Sequence, residues 1–174
     1  MFSDPIKNIE QFGVDPGMKV ADLGSGAGFY SLEAAKIIGG SGKVYAVDVQ
    51  QELLVKLKNE ARQQSITNIE ILWGDIDEMG GSRIQDSAVE RVIIANVLFQ
   101  TDDKETVVKE ANRILKPEGM ILLVDWSDSF GGLGPQPSRI ISEEQGRALF
   151  ENQGFEFVRD IQAGAHHYGM VFKK

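Results

Sequence analysis

The chain contains no cysteine, which excludes disulfides, thiolate metal sites and every mechanism built on a cysteine nucleophile. His166 and His167 are its only histidines, and no metal is expected. Cations are in the minority: 18 Lys and Arg stand against 26 Asp and Glu, for a net charge of −8. That sign opposes nucleic acid as a partner, because phosphate binding draws its affinity from Lys and Arg. Apart from Lys173-Lys174 the cations are scattered. No apolar run approaches membrane-spanning length, so no membrane span is expected. The start, Met1-Phe2-Ser3-Asp4-Pro5, has no basic region leading into an apolar core, and a cytoplasmic protein is the expectation.

What is present reads as one globular domain. The 174 residues, 42% hydrophobic and 25% charged, suffice for a single core and are neither disordered nor fibrous in composition. Residues 1–174 are therefore taken as one domain. Along the chain, strand-like apolar runs alternate with helical ones, which predicts a parallel sheet covered on both faces.

The pattern predicts strands over Lys43–Val49, Asn68–Gly74, Val89–Val97 and Met120–Trp126, with helices over Phe29–Ile38, Glu52–Gln64 and Asp103–Leu115. Lys116-Pro117-Glu118-Gly119 should stop the last of these helices. Asp75–Asp86 reads as a polar loop. Asp128–Arg139, rich in Gly and Pro, reads as a mobile or substrate-facing segment. Ser142-Glu143-Glu144-Gln145 has the form of a capping box and predicts a helix to Asn152. Gly154–Gln162 and His167–Phe172 then read as an antiparallel pair, because so short a link allows nothing else.

The richest stretch is Val20-Ala21-Asp22-Leu23-Gly24-Ser25-Gly26-Ala27-Gly28. It reads as a buried strand running into a glycine turn that opens a helix, a geometry that receives nucleotide-like ligands. A dinucleotide fingerprint wants a small residue where this chain has Phe29, and a P-loop wants Gly-Lys-Ser or Gly-Lys-Thr. Asp22 before the turn suits a ligand with a positive charge, and S-adenosylmethionine is such a ligand. Asp48 ends the second strand about 20 residues past the last glycine, where a carboxylate can accept both ribose hydroxyls. Asp75 ends the third strand, placed for an adenine amino group with Ile76 against the ring. Three acids thus end three adjacent strands, and those ends line the ligand crevice of an open α/β sheet.

These residues, with Tyr45-Ala46-Val47-Asp48, Gly74-Asp75 and Arg113-Ile114-Leu115-Lys116-Pro117-Glu118-Gly119, make the chain resemble a class I S-adenosylmethionine-dependent methyltransferase. Within that superfamily it is most similar to the small-molecule methyltransferases related to the ubiquinone/menaquinone enzymes. The resemblance implies a Rossmann-like, doubly wound α/β fold with a seven-stranded sheet in order 3-2-1-4-5-7-6, strand 7 antiparallel. It also implies S-adenosyl-L-methionine as cofactor and a small-molecule methyl acceptor. Gly24, Ser25, Gly26 and Gly28 would wrap the methionine part, with Asp22 supporting its amino group. Asp48 would take the ribose, and Asp75 with Ile76 the adenine. Asn96 and Val97 would face methionine and acceptor; Tyr30 and Val49 are counted with the cofactor set.

Two departures narrow the acceptor. Strand 4 ends Ala95-Asn96-Val97-Leu98-Phe99, without the Pro-Pro of enzymes that methylate adenine or glutamine amino groups. Arsenic methylation in this broad group depends on cysteines. Set against the family, the N-terminus is short, and the extra helices that cover the acceptor in many relatives are not expected here. Methyl transfer from a sulfonium is an in-line displacement that needs alignment and dryness more than a catalytic dyad. If strand 7 runs antiparallel to strand 5, His166 and His167 begin it at the crevice edge and are the candidate catalytic residues. Tyr30, Asp125, Trp126, Asp128 and Tyr168 share that edge, the aromatics read as packing and the acids as caps or solvated ends. Two further readings stand beside the first: an RNA or protein methyltransferase completed by a partner, and a non-catalytic cofactor-binding module. A dehydrogenase is disfavoured, since no tyrosine is followed by lysine at the fourth position.

Overall fold

The computed structural model describes residues 3–130, 132 and 134–174. Its frame is one seven-stranded sheet: β1 (Lys19–Leu23), β2 (Lys43–Asp48), β3 (Ile69–Trp73), β4 (Val89–Ala95), β5 (Leu115–Trp126), β6 (Glu156–Ile161) and β7 (His167–Lys173). The order is β3-β2-β1-β4-β5-β7-β6. The first five strands are mutually parallel, and β7 is antiparallel to both β5 and β6. The expected topology is the one found.

Helices α2 (Phe29–Ile38) and α3 (Gln51–Gln63) join the early strands. They lie on one face with an N-terminal helix, α1 (Pro5–Phe12). Helices α4 (Lys104–Ile114) and α5 (Glu143–Glu151) cover the other face. Strand β4 is buried along most of its length because both faces are covered: Val89, Val92, Ile93 and Ile94 are wholly inaccessible. Leu23, Val92 and Ile94 join the α4/α5 side of the core, while Val20 and Ile93 join the α1/α2 side. Alternate side chains point to opposite faces, so one strand feeds both cores.

Two elements depart from the expected pattern. Helix α1 was not anticipated, although its cap is legible. The Asp4 side chain accepts from Lys7 N–H, Pro5 sits in the first turn, and Ile9 and Phe12 are buried three residues apart. The second departure is at Lys116–Gly119. Helix α4 ends at Ile114, but β5 begins at Leu115 opposite Val89, loops out, and resumes at Met120 opposite Arg91. Glu118 takes a φ of 64° in that excursion. Proline stops the helix without preventing the strand, because its missing N–H falls where pairing is already broken.

Along Asp128–Arg139, the described residues end in a short 3-10 turn, Pro137–Arg139. Gly131 and Leu133 of that expected loop lie outside the described residues. The capping box at Ser142 is formed in both directions, Ser142 Oγ with Gln145 N–H and Gln145 Oε1 with Ser142 N–H.

Candidate cofactor and acceptor site

The glycine turn is tied to β2 before any ligand is considered. Gly24 and Ser25 N–H both donate to Val47 O at 2.9 Å, and Gly26 N–H donates to Asp48 Oδ2 at 2.8 Å. Two of its glycines are required for packing. A Cβ on Gly24 would lie 2.5 Å from Val97 Cγ2, and one on Gly28 would lie 2.2 Å from Leu57 Cδ1. Both have positive φ, which L side chains rarely adopt. Gly28 therefore seats α3 against the start of α2, and it lies outside the residues that line the cleft.

The cleft has two lobes joined at Gly24, Gly26 and Gln100. The first, about 420 Å³, is bounded by Asp22, Ser25, Tyr30 and Asn96, and roofed by Ser3 and Pro5 before and within α1. The second, about 410 Å³, is bounded by Asp48, Val49, Asp75, Ile76 and Val97, with Leu53 and Thr101. The strand-end acids foreseen from sequence are thus brought together with Val49, Ile76, Asn96 and Val97. Ser3, Pro5, Leu53, Gln100 and Thr101 were missed. They lie on turns and helix starts whose composition is unremarkable, and only the topology brings them here.

Each acid is held in place. Asp22 is 2% exposed and accepts from Ser31 Oγ at 2.6 Å. Burial pushes its carboxyl up to about 6, against the bond from Ser31. A cationic ligand group would reverse that penalty. Asp48 accepts from Gly26 N–H through one oxygen and from Gln50 N–H through the other, 2.8 Å each. A carboxylate has about four acceptor sites, so capacity remains for ligand hydroxyls. Asp75 accepts from Asp77 N–H at 3.0 Å.

Two buried polar atoms in the first lobe, Ser25 Oγ and Asn96 Oδ1, have no protein partner. Asn96 also takes a φ of 59°, which ends β4 two residues before the expected Val97. Unsatisfied groups and backbone strain collect at ligand sites. A buried acid and orphan polar atoms in one lobe, with acids beside apolar Ile76 in the other, fit a cation at one end and a ribose and flat ring at the other. S-adenosylmethionine has that layout.

The rest of the site is held in shape by groups behind the cleft and at its rim. Glu110 of α4 is wholly buried and accepts from Gly80 N–H (2.8 Å), Ser82 N–H (3.1 Å) and Arg113. Burial raises its carboxyl, but the bonds from Arg113, Ser82 and Gly80 outweigh burial and hold it at about 2. It thereby anchors the loop after Asp75. Asp125, at the end of β5, accepts from Leu98 N–H at 3.0 Å and Trp126 N–H at 2.8 Å. It fixes the turn that carries Gln100, and burial pushes it up to about 6. Tyr30 OH meets Asn8 Nδ2 at 2.8 Å and Ser3 Oγ at 3.1 Å, tying α1 to the rim.

The two histidines differ. Antiparallel β7 does bring them to this edge, with His167 paired to Trp126 in the ladder. His166 Nδ1 lies 2.7 Å from Asp128 Oδ1, and its ring stacks on Phe130 with centroids 4.4 Å apart. His167 is 8% exposed, packs 4.3 Å from the Trp126 ring, and has no protein partner at either nitrogen. Burial lowers its pKa first, and His166 adds to this. It faces a separate cleft lined by Asp4, Lys7 and the 163–165 turn. Among the described residues, no helix is long and apolar enough to cross a membrane.

A family model described as "Methyltransferase domain" matches residues 14–158. A structure of a SAM dependent methyltransferase from Aquifex aeolicus is 28% identical, covers 99% of this chain and 90% of its own, and superposes with a TM-score of 0.88. A demethylmenaquinone methyltransferase of Staphylococcus aureus is 29% identical over 68% of this chain and 47% of its own length. An arsenite methyltransferase of Halobacterium salinarum is 34% identical over 63% of this chain and 27% of its own. The chain thus spans less than half the length of these curated relatives. With the sheet order, the glycine turn and the acid-lined cleft, these matches place the protein: the chain belongs to the methyltransferase domain family, among the class I S-adenosylmethionine-dependent methyltransferases.

Proposed function

We propose that residues 1–174 act as one methyltransferase domain that transfers the methyl group of S-adenosyl-L-methionine to a small-molecule acceptor by in-line displacement, in the cytoplasm. The observation that carries this reading is a single cleft, continuous through Gly24, Gly26 and Gln100, that gathers Asp22, Asp48 and Asp75 from three adjacent strand ends. When bound, the cofactor supplies a methyl group already activated on a sulfonium. The chain supplies position and dryness. Asp22 holds the ammonium, with Ser25 and Asn96 offering their unused polar atoms beside it. The backbone of Gly24 and Gly26 lets the ligand lie close, and Tyr30 holds the rim. Asp48 and Val49 hold the ribose, Asp75 and Ile76 the adenine, and Val97 closes the floor.

A small acceptor accords with the net charge of −8, which disfavours RNA. Arsenite, named for one relative, is not proposed here, since it calls for soft thiolates and the chain has no cysteine. The test is calorimetry with S-adenosylhomocysteine on wild type and Asp48→Ala. Wild type should bind one equivalent, and the variant should bind at least tenfold more weakly, since each bond to a charged carboxylate is worth about 1.5–3 kcal/mol. No heat and no thermal stabilisation in wild type would end the reading. Equal binding by both proteins would end the ribose role of Asp48.

A further inference from the structure

We propose that Tyr30 reads the α-carboxylate at the methionine end of the cofactor, donating its O–H to that group while Asn8 and Ser3 fix the phenol from behind. The inference rests on the cofactor reading above. Its first support is what the first lobe lacks. Among the described residues that line it, none is Lys, Arg or His, and the one carboxylate is Asp22. Asp22 suits an ammonium and repels a carboxylate. The anionic end of a zwitterion bound here must therefore be met by neutral donors. The start of α2 supplies some of them: Phe29 and Tyr30 line the lobe, and the cap, Gly28, offers no side chain to the first-turn N–H groups. The Tyr30 hydroxyl adds a side-chain donor.

Its second support is a hydrogen count. Asn8 is 1% exposed, and its Nδ2 hydrogens go to Tyr30 Oη at 2.8 Å and Ser3 Oγ at 2.9 Å. The two hydroxyls are themselves 3.1 Å apart. One hydroxyl proton closes that contact, and the other has no acceptor among the described residues. Both hydroxyl-bearing residues line the lobe. A phenol is far more acidic than an aliphatic hydroxyl, so Tyr30 gives its proton to a charged acceptor while Ser3 donates to the Tyr30 oxygen. A phenol oxygen that accepts twice is also the stronger donor, because successive hydrogen bonds polarise one another.

Charge keeps the donor protonated. Burial, foremost, raises the Tyr30 pKa against the bonds with Ser3 and Asn8, and Asp22 and Asp4 add to the rise. Asp22 and Tyr30 thus face one lobe with opposite roles, an acceptor for the ammonium and a donor for the carboxylate. Tyr30 is the binding residue, and Asn8 and Ser3 are positioning residues acting through it.

The test is calorimetry on the full chain with two probes: S-adenosylhomocysteine and its decarboxylated form, which keeps the ammonium and lacks the carboxylate. Wild type should bind the first more tightly by about tenfold or more, the lower range for hydrogen bonds to a charged group. Tyr30→Phe should weaken S-adenosylhomocysteine by about tenfold and leave the decarboxylated probe within about twofold. Ser3→Ala leaves the Tyr30 proton in place and should cost S-adenosylhomocysteine only about threefold. If Tyr30 served only to brace α1, Tyr30→Phe would weaken both probes alike, and that result would overturn the proposal. Equal binding of the two probes by wild type would overturn it too, and is the result expected if the Asn8 amide turns its oxygen to both hydroxyls and takes their protons. A larger loss in Ser3→Ala than in Tyr30→Phe would move the donation to Ser3 and overturn the assignment. Failure of S-adenosylhomocysteine to bind wild type, with no heat and no thermal stabilisation, would instead overturn the cofactor reading beneath it.

Discussion

The two halves of the sheet's carboxyl edge are built differently. At the ends of β1, β2 and β3 every strand-end acid has an internal donor: Ser31 for Asp22, Gly26 and Gln50 for Asp48, and Asp77 for Asp75. At the ends of β5 and β7 the imidazole of His167 and the hydroxyl of Tyr168 are buried without protein partners. Burial, foremost, pushes the Tyr168 hydroxyl well above its ordinary range. The acids of the first half are oriented before a ligand arrives, and the orphan atoms beside them, Ser25 Oγ and Asn96 Oδ1, line the cofactor cleft itself. The second half leaves His167 and Tyr168 unsatisfied outside that cleft, a cost a fold bears where something else is to be bound. A shared cofactor can be met by a fixed cradle, while the acceptor is what members of one fold change among themselves.

The most severe way to break that contrast is to unpin the cofactor half from beneath. Glu110→Ala removes a wholly buried carboxylate and leaves Arg113 and two backbone N–H groups around it without their acceptor. Breaking a buried pair by removing one partner costs about 3–5 kcal/mol, or on the order of 10 °C in Tm for a chain of this size. Calorimetric melting should show the loss, and S-adenosylhomocysteine affinity should fall with it because the loop carrying Ile76 is released. A melting temperature within about 2 °C of wild type would mean that the loop holds itself. The pH signature follows from a carboxyl lowered to about 2. Its stabilisation is present above the ordinary value of 4.5 and is lost as pH falls through 2. Glu110→Ala should therefore be less sensitive to acid than wild type.

Glu110 also shows where sequence reading stops. A glutamate on an amphipathic helix reads as solvated, and nothing local says that Gly80 and Ser82 will close over it. Strand positions and strand-end acids are legible because period, glycine and charge act over a few residues, whereas the sheet order was implied only by the family resemblance. Helix α1 escaped for a different reason. Its eight residues offer only Ile9 and Phe12 to a core, and its polar Asn8 is buried by a bond to Tyr30, 22 positions away. Gly28 was legible as a required glycine, but its cause, Leu57 on another helix, was not. Gln100 and Thr101 became site residues only once Asp125 folded their turn over the cleft.

A gentler probe of the ready-made half is proton linkage at Asp22. Its carboxyl is raised from 3.8 to about 6, chiefly by burial. The stability contributed by the neutral form is thus full below 3.8 and lost as pH rises through 6. An ammonium at this site favours the carboxylate, so S-adenosylhomocysteine should bind more tightly as pH rises through 6. Below that value affinity should fall by up to about tenfold per pH unit. Asp22→Asn should bind weakly and without that slope. Calorimetry at pH 5 and pH 7 decides the point: equal slopes in both proteins would move the proton release elsewhere, with Asp125 the next group to test.

The smallest effect tests the other half, and its sign matters more than its size. If His167 is held unsatisfied for an acceptor, replacing it with an apolar side chain of similar bulk should stabilise the ligand-free protein. His167→Leu removes two orphan nitrogens beside Trp126, and the desolvation penalty relieved is about 1 kcal/mol or somewhat more. That should raise Tm by about 2–4 °C while leaving S-adenosylhomocysteine affinity unchanged, since His167 lies outside both lobes. A stability loss would show that the imidazole is packed there for the fold, and the contrast between the two halves would then rest on Tyr168 alone.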